Sequence, residues 1–145
     1  MARLDKQFES EKVDWQTPDD VFVPLEAEFG FTLDAAASED NSKCADYIGE
    51  AEDGLTTPWR GIVWCNPPYG RGLGAWARKA AAETFRGVTS VLLIPARTNT
   101  KWFHQYCLGY GEVRFIKGRP KFGGASEGLP WPLCVVVFRG KPAVS

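Results

Sequence analysis

The 145-residue chain is poor in the groups that hold metal ions or form disulfide frameworks. It has one histidine, His104, and four cysteines that lie far apart, with no Cys-x-x-Cys pair among them. Structural zinc sites take their ligands from closely spaced Cys and His residues, so we expect no metal site. Three of the cysteines lie in or beside apolar runs, where a free thiol behaves as a small hydrophobic side chain.

The chain also lacks long apolar runs and a strong net charge. No stretch approaches transmembrane length, and the N-terminus has no apolar segment of the kind found in signal peptides. We therefore expect a cytoplasmic protein with no membrane partner. The net charge of −1 gives no global indication of nucleic-acid binding. The charged residues of the range 97–121 are nevertheless mostly basic, and those of the range 26–53 are mostly acidic. A basic segment of this kind is compatible with a local site for a polyanion.

The length suits a single domain, which we place at residues 14–140 between a polar tail, 1–13, and a C-terminal tail, 141–145. Apolar runs alternate with segments of helical spacing, which predicts an α/β fold with a mostly parallel sheet. Thr17 is expected to cap the first helix and Pro18 to occupy its first position. The predicted helices cover residues 18–29 (interrupted at Pro24), 73–85 and 100–107. The predicted strands cover 31–35, 61–65, 90–94, 112–117 and 133–138, with another possible at 47–48.

Polar segments directly follow three of the predicted strands. They are Asp34, the tetrapeptide Asn66-Pro67-Pro68-Tyr69, and residues 95–98. In sheets of this class, ligands bind at the carboxyl ends of the strands. The three segments therefore predict one common site.

The tetrapeptide at residues 66–69 has the chemistry needed to methylate an exocyclic amino nitrogen. The lone pair of such a nitrogen is delocalised into the ring, so the nitrogen is a poor nucleophile. Two acceptors for its hydrogens, the side-chain oxygen of Asn66 and the carbonyl of Pro67, favour a pyramidal nitrogen with an available lone pair. Pro67 and Pro68 fix the backbone in advance, and Tyr69 offers an aromatic face for a planar base.

Several further motifs occur in a defined order around this tetrapeptide. They are Trp15-Gln16-Thr17-Pro18, Leu33-Asp34-Ala35-Ala36-Ala37, Asp53-Gly54-Leu55 followed by Trp59, Asn66-Pro67-Pro68-Tyr69-Gly70, Leu93-Ile94-Pro95-Ala96-Arg97-Thr98 with Trp102-Phe103, and Gly118-Arg119-Pro120-Lys121-Phe122. With these motifs the chain resembles the phage-type (Dam-like) DNA N6-adenine methyltransferases over nearly all of residues 15–139. The resemblance implies a compact Rossmann-like methyltransferase fold, S-adenosylmethionine as methyl donor, and DNA as partner in a bacterial host cytoplasm.

The resemblance also implies roles for individual residues. Asp34 would accept a hydrogen bond from the ammonium group of the cofactor, and Asp53 would meet its adenine amino group. Phe122 would stack on the flipped target base. The full implied sets are Trp15, Thr17, Pro18, Asp34, Ala35 and Asp53 for the cofactor, Arg97, Arg119, Lys121 and Phe122 for the substrate, and Asn66, Pro67, Pro68 and Tyr69 for catalysis.

The chain departs from methyltransferases at large in two respects, and several alternative functions stay open. Asp34 is followed by Ala-Ala-Ala-Ser instead of a glycine-rich loop, and no insertion is long enough for a separate target-recognition domain. We therefore expect a short or loosely defined target site, contacted through residues 70–74 and 123–130. The same tetrapeptide chemistry serves methylation of adenine in RNA or of glutamine in proteins. A non-catalytic binding protein that retains the fold is a further alternative, whereas a dinucleotide oxidoreductase is disfavoured because no Gly-x-Gly-x-x-Gly follows the first strand.

Overall fold

The computed structural model describes residues 17–118, 120 and 131–142. Its elements are α1 (Asp19–Phe29), β1 (Leu33–Asp34), β2 (Ile62–Cys65), α2 (Leu73–Thr84), β3 (Thr89–Pro95), a π-helix (Phe103–Leu108), β4 (Glu112–Phe115) and β5 (Leu133–Phe138). Several predicted features lie outside the described residues, namely the tail 1–13, the loop 123–130, Trp15, Arg119, Lys121 and Phe122.

The five strands form one sheet in the order β1-β2-β3-β5-β4. The pairs β1–β2 and β2–β3 are parallel, whereas β5 is antiparallel to both β3 and β4. The α/β class is thus confirmed, and the prediction of parallel pairing holds for the first three strands. The second half of the sheet differs because the chain leaves β4 and enters β5 at the same edge, without the crossover that a parallel pair requires.

Helix α1 begins one residue later than the capping pattern predicts. Pro18 is its N-cap, and the carbonyl of Pro18 accepts hydrogen bonds from the N–H groups of Val21 and Phe22, both at 3.0 Å. The prediction that Thr17 caps the helix is wrong, because its hydroxyl is engaged by another side chain. The helix ends as predicted at Gly30, which adopts φ 67°. Pro24 does not divide the helix; it lies on the exposed face, where the carbonyl that loses its partner can bond to water.

Both faces of the sheet are covered, which explains why its central strands are almost continuously apolar. One core cluster lies under α2 and the π-helix and includes Val63 and Cys65 of β2. The other lies on the α1 side and includes Trp64, packed edge-on against Phe22 with ring centroids 5.1 Å apart. Alternate residues of one strand thus enter opposite layers.

Three predicted elements are shorter than, or different from, what the pattern indicates. β1 contains only Leu33–Asp34, and the possible strand at 47–48 is reduced to a single bridge between Tyr47 and Asp34. The helix predicted at 100–107 contains the π-helix Phe103–Leu108, in which Phe103 and Cys107 are buried. The wider spacing of a π-helix is not visible in an apolar pattern that also satisfies an α-helix.

A buried carboxylate connects α2 to the segment before β2. Glu83 is 5% exposed and accepts hydrogen bonds from the backbone N–H of Trp59 at 2.7 Å and from Arg86 at 2.5 Å. Lys79 lies 3.7 Å from its other oxygen. The carboxylate therefore satisfies a buried N–H that no helix or strand bond reaches.

We expect Glu83→Ala to lower the free energy of unfolding by about 3 kcal/mol, because it leaves the N–H of Trp59 buried without a partner. Urea denaturation of the variant and the wild type measures this difference. The control is Arg60→Ala, which removes an exposed ion pair with Asp46 and should change stability by less than about 1 kcal/mol. Equal effects of the two substitutions would contradict the assignment.

Candidate active site

The carboxyl ends of the three parallel strands meet at one edge of the sheet. Asp34 is in register with Trp64, and Cys65 with Leu92. The N–H of Ala35 also donates to the carbonyl of Trp64 at 2.9 Å, which ties the residues after β1 to β2. The three polar segments that follow these strands therefore lie along the same edge, as predicted from the strand order.

The side-chain amide of Asn66 is oriented by one hydrogen bond. Its Nδ2 donates to the hydroxyl Oγ1 of Thr17 at 3.2 Å. Its Oδ1 is buried and has no hydrogen-bond partner within the described residues; the other such atom is Oγ of Ser90, in the core of β3. An unpaired buried carbonyl oxygen is costly, and this one lies beside a strand end, so it is a candidate acceptor for a bound ligand.

Thr17 and Asp34 are linked through Lys43. The ammonium group of Lys43 donates to the carbonyl of Thr17 at 3.3 Å, and the backbone N–H of Lys43 donates to Oδ2 of Asp34 at 2.9 Å. The Lys43 side chain also crosses the ring of Phe22, with the nitrogen 5.2 Å from the ring centroid. A continuous set of polar contacts therefore runs from Asp34 through Lys43 and Thr17 to Asn66.

Asp34 is a buried carboxylate, 3% exposed. Burial raises its pKa above the ordinary value of 3.8, and this effect is opposed by hydrogen bonds from the N–H groups of Lys43 and Ala36 and by the charge of Lys43. A carboxylate held at this depth is stabilised by any further cation that reaches it. This is the environment expected of a residue that binds an ammonium group.

Asp53 lies in a turn that packs against the end of β1. It has φ 63°, the left-handed region, and its Oδ1 accepts a hydrogen bond from the N–H of Leu55 at 3.0 Å. The next residue, Gly54, is buried so closely that a Cβ there would overlap the carbonyl of Ala35 and lie 2.7 Å from Trp76. The turn conformation and its close packing are thus a structural reason for having Asp53 and Gly54 at these positions. The same packing brings Asp53 near the strand end that carries Asp34.

Tyr69 is fixed at both ends of its side chain. Its hydroxyl donates to the carbonyl of Leu93 at 3.2 Å, and its ring meets Trp131 edge-on at 6.1 Å and 83°. Burial raises the pKa of the Tyr69 phenol well above its usual range. The tyrosine is therefore a neutral, rigid aromatic group at physiological pH. Pro67 beside it is buried and Pro68 is exposed.

Trp131 is a site residue that the sequence pattern does not reveal. β5 is antiparallel to β3, with Leu133 in register with Pro95, and the N–H of Ala96 donates to the carbonyl of Pro132 at 2.9 Å. The residues before β5 are thereby brought to the edge where β3 ends. The position of Trp131 could be predicted only if the direction of β5 were known, and a sequence pattern does not specify that direction.

Arg97 and Trp131 face a small cleft at this edge. The cleft is lined by residues 95–99 together with Trp131 and Pro132. The guanidinium carbon of Arg97 lies 5.7 Å from the Trp131 ring centroid, a cation–π distance. The exposed Arg97 thus stands next to the aromatic pair formed by Tyr69 and Trp131.

Some basic residues of the molecule are paired with carboxylates and others are not. Arg60, Arg86, Arg114 and Arg139 are paired with carboxylates. By contrast, four exposed cations in the connections after β2, β3 and β4 make no ion pair within the described ranges; they are Arg71, Arg97, Lys101 and Lys117. The connections that follow β2, β3 and β4 therefore carry exposed cations without carboxylate partners among the described residues, although the net charge of the chain is −1.

The described residues contain no cluster of three or more His, Cys, Asp or Glu side chains suited to a metal ion. None of their helices has the length and apolar character needed to span a membrane.

Comparison with known proteins assigns the family. A family model for DNA N-6-adenine-methyltransferases (Dam) matches residues 5–130. The chain belongs to this family. The resemblance stated from the sequence motifs is thereby confirmed.

Two phage relatives of this Dam family member are named as DNA N-6-adenine-methyltransferases. That of Escherichia phage T1 is 33% identical over 106 residues, which is 71% of this chain and 44% of the relative. That of Haemophilus phage HP1 is 34% identical over 110 residues, 74% of this chain and 64% of the relative. The chain thus spans less than two thirds of the length of these curated relatives.

We expect the buried carboxylate of Asp34 to make stability depend on pH. Its raised pKa means that between pH 3.8 and the folded-state value the folded protein binds more protons than the unfolded chain. The free energy of unfolding therefore falls as pH rises through this interval, by about 1.4 kcal/mol for each unit of the shift. Urea unfolding of the wild type and of Asp34→Asn across this range measures the effect as the difference between the two curves. A difference that is constant or rises with pH would contradict the assignment.

Proposed function

We propose that this chain transfers a methyl group from S-adenosylmethionine to the N6 amino nitrogen of adenine in DNA. The observation that carries the proposal is the buried Oδ1 of Asn66, which has no partner within the described residues and lies beside the end of β2. Membership of the Dam family and the names of the two phage relatives support the same activity.

Asn66 and Pro67 act on the nucleophile in this proposal. Oδ1 of Asn66 accepts one hydrogen of the amino group, and the carbonyl of Pro67 accepts the other. These bonds draw the nitrogen towards pyramidal geometry and strengthen as positive charge develops on it. Because both acceptors are fixed before the substrate arrives, little reorganisation is needed during the reaction.

No general base is required in the first step. The amino nitrogen attacks through its lone pair, and it loses a proton only after it has gained the methyl group. Tyr69 is unsuited to take that proton, since burial raises the pKa of its phenol and its hydroxyl is occupied by the carbonyl of Leu93. The proton therefore leaves to water. We assign Tyr69 instead to stacking on the planar base.

The described residues fit S-adenosylmethionine, which supplies an electrophilic methyl group when bound. The buried carboxylate of Asp34 suits an ammonium group, and the close packing of Gly54 against Ala35 brings Asp53 to the same strand end. Thr17 is linked to Asp34 through Lys43, and Pro18 after it is the N-cap of α1. S-adenosylmethionine also carries a carboxylate, which the N-terminal end of a helix attracts. The exposed acids Asp19 and Asp20 in the first turn of α1 weaken this attraction, so recognition of the ammonium group by Asp34 is the stronger contact.

The unpaired cations favour DNA over a protein substrate. Phosphate contacts require lysines and arginines that are not neutralised by neighbouring carboxylates. Arg97, beside Trp131, meets this requirement, as do the three other cations on the same edge. Arg119, Lys121 and Phe122 belong to the connection between β4 and β5, whose described ends, Ile116 and Pro132, lie at this edge. We assign the first two to phosphates and Phe122 to the flipped base.

We also propose that the fold is a compact form of the Rossmann-like methyltransferase architecture. Three parallel strands with cover on both faces and polar residues at their carboxyl ends support this arrangement.

Asn66→Ala is the direct test of the reaction centre. Loss of the Oδ1 acceptor should lower kcat by a factor on the order of 10²–10³, because this bond is strongest in the transition state. Transfer of radiolabelled methyl groups from S-adenosylmethionine to DNA, RNA and protein pools measures the activity and its substrate class. Equal rates for variant and wild type, or labelling of RNA or protein in preference to DNA, would contradict the proposal. A non-catalytic binding protein would label none of the pools.

Arg97→Ala tests the contact with the DNA backbone. We expect its dissociation constant for a duplex to rise roughly tenfold at low salt and the slope of log K against log salt to fall by about 1. Fluorescence anisotropy at several salt concentrations measures both quantities. Arg60→Ala is the matched control, since Arg60 is exposed but paired with Asp46 and precedes β2 at the opposite edge. If the control weakened binding as much as Arg97→Ala, the effect would be one of net charge alone.

A further inference from the structure

The side-chain amide of Asn66 has two chemically opposite ends of nearly equal size. Its Oδ1 can accept a hydrogen bond from an amino group, whereas its Nδ2 can only donate. A half-turn about the last side-chain bond exchanges the two ends and would present N–H groups to the N–H groups of the substrate. Activity of the kind proposed above therefore depends on how firmly this amide is held beside the substrate.

The hydroxyl of Thr17 is the group that contacts the amide. Nδ2 of Asn66 donates to Oγ1 of Thr17 at 3.2 Å, and Oδ1 is left at the other side, buried and without a described partner. A hydroxyl can accept from Nδ2 or donate to Oδ1, so it anchors whichever end of the amide faces it, and in this structure that end is Nδ2. A side chain without an oxygen at position 17 would leave that end of the amide without its hydrogen-bond partner.

Thr17 is itself held independently of Asn66. Its side chain is buried, at 5% exposure for the residue, and its carbonyl accepts a hydrogen bond from the ammonium group of Lys43 at 3.3 Å. Lys43 is in turn bonded through its backbone N–H to Asp34. On the other side, Pro18 begins α1. The hydroxyl thus has a fixed position from which it can orient Asn66.

We propose that Thr17 is a positioning residue that anchors the side-chain amide of Asn66 beside the end of β2, and that this role is distinct from lining the cofactor pocket. The inference rests on the proposed methyl transfer to an amino nitrogen. A residue that only lines the cofactor pocket would affect the KM for S-adenosylmethionine. A residue that orients Asn66 affects kcat, because the bond it secures contributes most in the transition state.

Thr17→Val and Thr17→Ser separate these roles. Valine keeps the shape of threonine without the hydroxyl, so kcat at saturating S-adenosylmethionine should fall roughly tenfold while the KM for the cofactor stays within about twofold. Serine keeps the hydroxyl and should restore most of kcat. A second readout is the pair of side-chain N–H resonances of Asn66 in ¹⁵N-edited NMR spectra, which should shift in Thr17→Val and stay close to the wild type in Thr17→Ser.

Thr84→Val is the matched control for general effects of losing a buried hydroxyl. Thr84 is 1% exposed, and its hydroxyl donates to the carbonyl of Ala81 at 2.6 Å within α2, away from the site edge. It should lower the melting temperature without changing kcat below that temperature.

The outcomes distinguish the inference from the function on which it rests. An active wild type with an unchanged kcat in Thr17→Val, or a change confined to the KM for the cofactor, would overturn the positioning role alone. A loss of kcat in Thr84→Val as large as in Thr17→Val would overturn it as well. A wild-type protein that methylates none of the substrate pools would overturn the proposed function.

Discussion

The hydrogen bond from Nδ2 of Asn66 to the hydroxyl of Thr17 joins two segments that are far apart in the chain. It leaves the buried Oδ1 of Asn66 without a described partner, which costs about 1–3 kcal/mol in a folded protein. The fold maintains this arrangement because Asn66 follows a strand whose residues are packed on both faces, and because Thr17 is tied through Lys43 to Asp34. The proposed chemistry depends on that unsatisfied oxygen.

The direction of β5 determines which residues surround the candidate site. Because β5 runs against β3, the chain enters it at the edge where the parallel strands end. Trp131 is thereby brought against Tyr69 and Arg97. Connections between strands thus bring both aromatic rings and an exposed cation to this edge of the sheet.

Much of this organisation could be predicted from the sequence. The apolar runs predict the strands, and Gly30 and Pro95 mark the ends of α1 and β3. The shared direction of parallel strands predicts that Asp34 and Asn66 lie at the same edge of the sheet. Contacts between distant segments could not be predicted in this way. Thr17 has the sequence context of a helix cap, yet its hydroxyl bonds to Asn66, and Trp131 has no motif of its own. Local sequence patterns reflect interactions between residues that are close in the chain, whereas the positions of Thr17 and Trp131 are set by tertiary packing.

The most direct measurement is a crystal structure of the protein with DNA and an unreactive analogue of S-adenosylmethionine. The account predicts that the amino nitrogen of an extruded adenine lies about 2.7–3.2 Å from Oδ1 of Asn66. It also predicts that Nδ2 of Asn66 remains bonded to the hydroxyl of Thr17. An amino nitrogen bound away from Asn66, or an amide whose Nδ2 faces the base, would contradict it.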